Sequence, residues 1–199
     1  MTDAWPPHYW LRHTDGDGAW TKHGPVPGED LAALRRGIGR EPGTVPPMWP
    51  YYTQLDEAGR LTARLRAEHL ALTLFAVHQQ SQARPVHRTG VGLGSALLAL
   101  RRSGKFSEEA LDRRVGAAAT ATSVGEVAHH LRRLITQLRS VDVVPGLDYT
   151  RLFRDLRDWD EPERRGKVRR RWGGQYFAWP READDTARSA PRGEPKEKK

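Results

Sequence analysis

The sequence has no cysteine among its 199 residues. This absence excludes disulfide bonds, thiolate metal ligands and cysteine nucleophiles. Long apolar runs are also missing, because the longest apolar stretch, around residues 70–77, is far too short to span a bilayer. The first residues lack the basic n-region and the apolar h-region of a secretory signal. We therefore expect a soluble, cytoplasmic protein with no membrane partner.

The strict alternation of apolar and polar residues that is typical of a β-strand is absent as well. Apolar residues instead recur at helical spacing, most regularly at Val127, Leu131, Leu134, Ile135 and Leu138. The sequence therefore predicts an all-α fold with no sheet, built from two small helical bundles packed together. We expect the N-terminal bundle in residues 1–103, the C-terminal bundle in residues 104–180 and a disordered tail in residues 181–199, where large apolar groups are few.

Small polar and acidic residues mark the expected helix starts. The predicted N-caps are Ser95, Ser107, Ser123 and Asp148, since their side chains can accept from free amides of the first turn. The stripe of leucines ahead of Gln80 predicts a long helix over residues 56–80. Its second half is apolar almost all round, so we expect this helix to be the most buried.

The two last helices carry many charges. On the helix that starts near residue 148, Arg151 with Asp155 and Arg154 with Asp158 are spaced to form ion pairs on the outer face. The next segment is strongly basic, and we expect it to be helical up to Gly173.

A convergent catalytic set is not recognisable. His129 and His130 are adjacent, so they point about 100° apart on a helix and cannot chelate one ion together. Residues 15–18 start like a calcium loop but then lose its ligands, and the glycines of residues 90–94 do not follow the dinucleotide-binding pattern. A phosphate held by these glycine amides stays open as an alternative. The sequence predicts no enzyme, no metal site and no cofactor.

Arginine dominates what the sequence does contain. The formal net charge is +8 and the isoelectric point is about 10.2. The last nineteen residues hold six basic and five acidic side chains, so the excess of positive charge belongs to the body of the protein. A basic body indicates a partner with a phosphate backbone, and general solubility is the alternative explanation.

Six segments, in this order and at this spacing, resemble the CasB family, the small subunit of the type I-E CRISPR Cascade surveillance complex. They are residues 34–37 (Leu-Arg-Arg-Gly), 72–76, 92–97, 112–114, 130–135 and 147–156. The resemblance extends over about residues 10–177. It implies a helical subunit without enzymatic activity that contacts guide RNA and target DNA, supporting the R-loop and its displaced strand. The implied protein partners are the Cascade backbone subunits, the large PAM-recognising subunit and a second copy of this chain.

The resemblance also implies which residues contact nucleic acid. Arg36, Arg114 and Arg133 match family positions for this contact, and the remaining candidates are Arg35, Arg64, Arg88 and Arg132. A free-standing helical DNA-binding regulator is the alternative, although no helix pair with a base-reading Asn or Gln is evident. A histidine-dependent metallohydrolase is a third hypothesis, which metal analysis of the purified protein would test.

Overall fold

The computed structural model describes residues 7–178, and the tail expected in residues 181–199 lies outside them. The described chain folds into eight α-helices and one 3-10 helix. In chain order they are α1 (Trp10–His13), α2 (Gly28–Arg35), the 3-10 helix η1 (Pro46–Tyr51), α3 (Ala63–Gln79), α4 (Leu93–Arg102), α5 (Glu108–Thr120), α6 (Val124–Arg139), α7 (Tyr149–Arg157) and α8 (Pro162–Tyr176).

The described residues form no β-sheet. Their only extended pairings are two isolated bridges, which join Thr14 to Trp20 and His87 to Leu147. The all-α class predicted from the periodicity is therefore confirmed.

Helix α3 is the centre of the fold and packs against α2, α6 and α7. Every residue from Ala71 to Gln79 is buried, as the all-round apolar character of this segment predicts. The predicted start of α3 is wrong, because the helix begins only at Ala63 behind the N-cap Thr62. Asp56 instead accepts a hydrogen bond of 2.9 Å from the amide of Arg60. Residues 56–60 therefore form a separate turn ahead of the helix.

Helix α4 packs along α8, and α5 packs along α6. Buried apolar side chains on both sides of residues 103 and 104 belong to one continuous cluster, which includes Leu100 and Leu111. The division into two bundles at this boundary stays a prediction.

Three of the four predicted N-caps are confirmed. Ser107, Ser123 and Asp148 accept hydrogen bonds from the first turns of α5, α6 and α7. Ser95 is not a cap, because α4 already begins at Leu93 with Gly92 ahead of it. The sequence pattern placed this start too late.

The predicted ion pair of Arg154 with Asp158 is wrong. Asp158 instead pairs with Arg157 at 2.8 Å and with Arg164 at 3.8 Å.

Two further predicted features of α7 and α8 need correction. Asp155 does not lie on an outer face; it is buried, accepts from Trp172 Nε1 at 2.7 Å and pairs with Arg171. Burial raises the pKa of the Asp155 carboxyl above its ordinary value, against the lowering effect of Trp172 and Arg171. Helix α8 also continues past Gly173 to Tyr176, whose side chain is buried. The tight contact of α8 with α4 overrides the weak helix propensity of glycine there.

Candidate nucleic-acid interface

Helices α5 and α6 together form a shallow cationic depression on the surface. Arg113 and Arg114 line it from α5, and His130 and Arg133 line it from α6. The leucine stripe of α6 fixes this arrangement, since Leu131 and its neighbours along the stripe are buried in the core. The arginines that stand between these leucines in the sequence therefore lie at the edge of the buried face of α6.

A second depression continues from the first. Arg114 and Arg133 line both, and Arg132, Thr136 and Gln137 complete the second one next to Val77 of α3. The long-range packing of α6 against α3 therefore extends the cationic surface beyond the α5–α6 pair.

A deeper cleft adjoins the second depression between α3, the first half of α6 and the loop that follows α2. Its volume is about 350 Å³, and Arg40, Arg66, His129 and Arg132 contribute its polar lining. Arg132 lines the cleft and the second depression together. The three hollows thus share walls and form one surface, which we call the arginine track and define as Arg40, Arg66, Arg113, Arg114, Arg132 and Arg133.

The charge of the track is not neutralised within the described chain. No described Asp or Glu lines any of the three hollows. Among described residues, Arg114, Arg132 and Arg133 form no ion pair within 4 Å, in contrast to arginines elsewhere such as Arg60 with Asp56 and Arg101 with Glu108. Guanidinium groups in this state are available to bind phosphate in a bidentate manner.

The structure brings together three of the seven predicted arginines, namely Arg114, Arg132 and Arg133. Arg35 ends α2 and Arg36 is its C-cap. Both precede Gly37, which forms part of the cleft wall and accepts from His69 Nε2 at 2.9 Å. They therefore lie next to the track in the chain without lining it.

The two other predicted arginines lie apart from this group. Arg64 is exposed in the first turn of α3, two residues before Arg66. Arg88 packs beside Gly146 in the segment that leads to α7, and its amide donates to the carbonyl of Leu147. Contact of either side chain with nucleic acid stays a prediction.

Sequence reasoning did not select Arg40, Arg66 or Arg113 as candidates. Arg113 could have been found from its position beside Arg114. No local signal identifies Arg40 and Arg66, because the cleft that they share exists only once α6 packs against α3.

The described residues provide neither a metal-ligand cluster nor a membrane-spanning helix. Within residues 7–178, no three His, Asp or Glu side chains come together in a way that could hold a metal ion. The rings of His129 and His130 lie 5.8 Å apart and edge to face. No helix in the described part of the chain has both the length and the apolar character to cross a membrane.

The fold and the surface together define a class of protein: a helical body with a continuous cationic surface. The family model described as CRISPR-associated protein Cse2 matches residues 30–177, which is most of the sequence. The chain therefore belongs to the Cse2 family, and the predicted resemblance to CasB is confirmed.

Similar proteins from Thermus thermophilus and Thermobifida fusca support this assignment. A CRISPR-associated protein Cse2 from Thermus thermophilus is 29% identical over 169 residues, which cover 84% of this chain and 86% of the relative. The crystal structure of CasB from Thermobifida fusca is similar with a TM-score of 0.59 and 32% identity, covering 75% of this chain and 84% of that one. The crystal structure of a Cse2-family protein from Thermus thermophilus gives a TM-score of 0.58 at 26% identity, covering 76% and 86%.

Proposed function

We propose that this protein is a non-catalytic architectural subunit of the type I-E CRISPR Cascade ribonucleoprotein. In this role it binds nucleic acid without sequence specificity and stabilises the R-loop of guide RNA and target DNA, including the displaced strand. Its protein partners are the Cascade backbone subunits, the large PAM-recognising subunit and a second copy of itself. Membership of a CRISPR-associated family supports a role in a CRISPR complex. The arginine track is the observation that supports nucleic-acid binding.

The physical requirement of an R-loop matches this surface. The displaced strand has lost its partner and re-anneals unless it is held. Holding any sequence requires positive charge along the backbone and no reading of base edges. A row of unpaired guanidiniums meets this requirement, since Arg114, Arg132 and Arg133 lie side by side with no carboxylate in the same lining.

The test neutralises the track within the assembled complex. In the variant, Arg114, Arg132 and Arg133 become Gln, which keeps most of the side-chain length and removes three charges. Three phosphate contacts contribute roughly 50-fold to affinity at 0.15 M salt, so we expect the complex to lose target DNA at least about tenfold faster. The measurement is retention of labelled target DNA by the purified complex.

A matched variant separates the track from general charge. Arg84, Arg154 and Arg170 are exposed, and none of them lines the three hollows. Changing these three to Gln removes the same charge, and we expect retention close to that of the wild-type complex. Equal retention by both variants, with normal assembly, would contradict the proposed role of the track.

A further inference from the structure

The cleft at the end of the arginine track has an apolar floor that phosphate binding does not explain. Leu70, Leu74 and Val77 of α3 face Ala128 of α6 across it, and Ile38 closes one side. Its volume of about 350 Å³ is within the range of small-ligand pockets, which is about 300–1,000 Å³. A flat, largely apolar group of modest size fits such a space.

The rim of the cleft is cationic. Arg40, Arg66 and Arg132 contribute to the lining, and no carboxylate among the described residues does. The Nε atom of Arg66 is buried and has no hydrogen-bond partner within the described chain. A buried donor without a partner costs free energy, and a ligand with an acceptor at its edge would remove that cost.

We propose that this cleft binds one nucleobase, turned out of the strand whose phosphates lie along the arginine track. The placement of that strand rests on the proposed function. A base offers a flat face, against which leucine and valine side chains can pack and a guanidinium plane can stack. The edge of the base offers hydrogen-bond acceptors to Arg66. Arg132 joins the two parts, because it lines the cleft and the neighbouring depression and can hold a phosphate beside the inserted base.

The surroundings favour a base over an apolar side chain of a protein partner. The cleft continues directly into a surface of arginines, where a nucleic-acid strand places a phosphate on each side of every base. A peptide segment carrying an apolar side chain would leave these guanidiniums without counter-charge. Several guanidiniums in the rim are costly next to an ordinary protein surface and favourable next to a phosphate backbone.

Two substitutions fill the cleft without changing charge. Gly125 lines the cleft in the first turn of α6, and a Cβ added there meets no atom within 4 Å, so Gly125→Leu is expected to fold. Ala128→Leu fills the floor directly. The matched control is Gly116→Leu on α5, where an added Cβ also meets nothing within 4 Å and which lies outside the cleft lining.

The measurement is binding of the purified full chain to two single-stranded DNA 12-mers at low salt. One strand is oligo-deoxyadenosine and the other has the same backbone with central abasic sites. We expect the wild type and Gly116→Leu to bind the base-bearing strand about five- to tenfold more tightly, which is within the usual range for stacking of one base. Both cleft-filling variants should lose this preference while their affinity keeps the wild-type dependence on salt.

The outcomes distinguish the cleft from the track. Equal binding of the two strands by the wild type, with normal salt dependence, overturns the base site and leaves the proposed function standing. If neither the wild-type chain nor the assembled complex shows salt-dependent binding to either strand, the base site and the proposed function are both overturned. Retention of the preference by Gly125→Leu and Ala128→Leu also overturns the base site. If these variants keep the preference but fail to join the ribonucleoprotein, the cleft binds a protein partner instead.

Discussion

At the scale of single residues, the carboxylate of Glu68 ties the segment after η1 to the central helix. Glu68 is fully buried in α3. It accepts from the amides of Thr53 and Gln54 at 2.9 Å and from the hydroxyl of Thr53 at 2.5 Å, and His8 Nδ1 lies 3.2 Å away. These hydrogen bonds offset the cost of burying the charge, which is why a carboxylate is tolerated in the core.

Replacing this carboxylate by an amide should destabilise the fold. Glu68→Gln places an NH2 group where a carboxylate oxygen accepts hydrogen bonds. The backbone amides of residues 53 and 54 would then face another donor and lose their acceptor. We expect a loss of about 2–4 kcal/mol in the free energy of unfolding, measured by urea denaturation. Glu57→Gln, at an exposed position, should change stability by less than about 0.5 kcal/mol. Equal stability of the two variants would show that Glu68 is not a structural anchor.

A buried histidine makes stability depend on pH. Burial lowers the pKa of His78 to about 3, and the nearby charge of Arg139 acts in the same direction. Its Nδ1 lies 3.0 Å from the Tyr149 hydroxyl, and its Nε2 has no partner among the described residues. Because the unfolded chain takes up this proton near pH 6.5 and the folded chain does not, stability falls as pH decreases from about 6.5 towards 3.

The contribution of His78 can be isolated by comparing two pH values. Between pH 6.5 and pH 5, one such histidine lowers the free energy of unfolding by about 1.5 kcal/mol. We expect His78→Gln to remove about that much of the pH dependence, whatever its effect on stability itself. His23→Gln, at an exposed position, should retain the wild-type pH dependence. Identical slopes for His78→Gln and the wild type would contradict neutral burial of this ring.

At the scale of elements, the contact between α4 and α8 depends on a glycine. A Cβ added to Gly94 would lie 2.3 Å from the backbone carbonyl oxygen of Trp172 and 2.6 Å from Gln175 Cβ. Backbone atoms cannot move aside as a flexible side chain can. The two helices therefore lie as close as they do only because residue 94 has no side chain.

Gly94→Ala should push these helices apart. We expect a destabilisation of about 1–3 kcal/mol in urea unfolding, which is typical of overpacking in a core. Gly116→Ala is the control, since an added Cβ at that helical position meets nothing within 4 Å. There we expect no loss and a gain of up to about 1 kcal/mol from helix propensity. Stability of Gly94→Ala at the wild-type level would mean that α4 and α8 can separate at no cost.

At the scale of the whole molecule, the positive charge of the body should determine how the isolated chain binds nucleic acid. Three to four phosphate contacts on the track predict that affinity for single-stranded DNA falls about 20- to 50-fold between 50 and 200 mM salt. Shuffling the base sequence should change affinity far less. The measurement is a salt titration of fluorescence anisotropy with several shuffled oligonucleotides. Tight binding to one duplex sequence would instead favour the free-standing regulator.

The sequence by itself determined the class of fold, most helix starts and the positive sign of the surface charge. Helical spacing of leucines and the caps Ser107, Ser123 and Asp148 are local properties, so they could be recognised without coordinates. The extra turns predicted before Ala63 were wrong because side-chain hydrogen bonds of Asp56 and Thr62 set a later helix start. The outward position of Asp155 was wrong because its contact with Trp172 of α8 buries it. Local periodicity does not contain those contacts.

Only the tertiary structure decided which arginines lie together on the surface. Arg114 and Arg133 lie on different helices and share two hollows, whereas Arg88 lies elsewhere although its residue type and exposure are the same. The cleft with Arg40 and Arg66 likewise requires α3, α6 and the loop after α2 to meet. The physical reason is that charge is fixed by composition, while a continuous binding surface depends on distances set by packing between residues far apart in the chain.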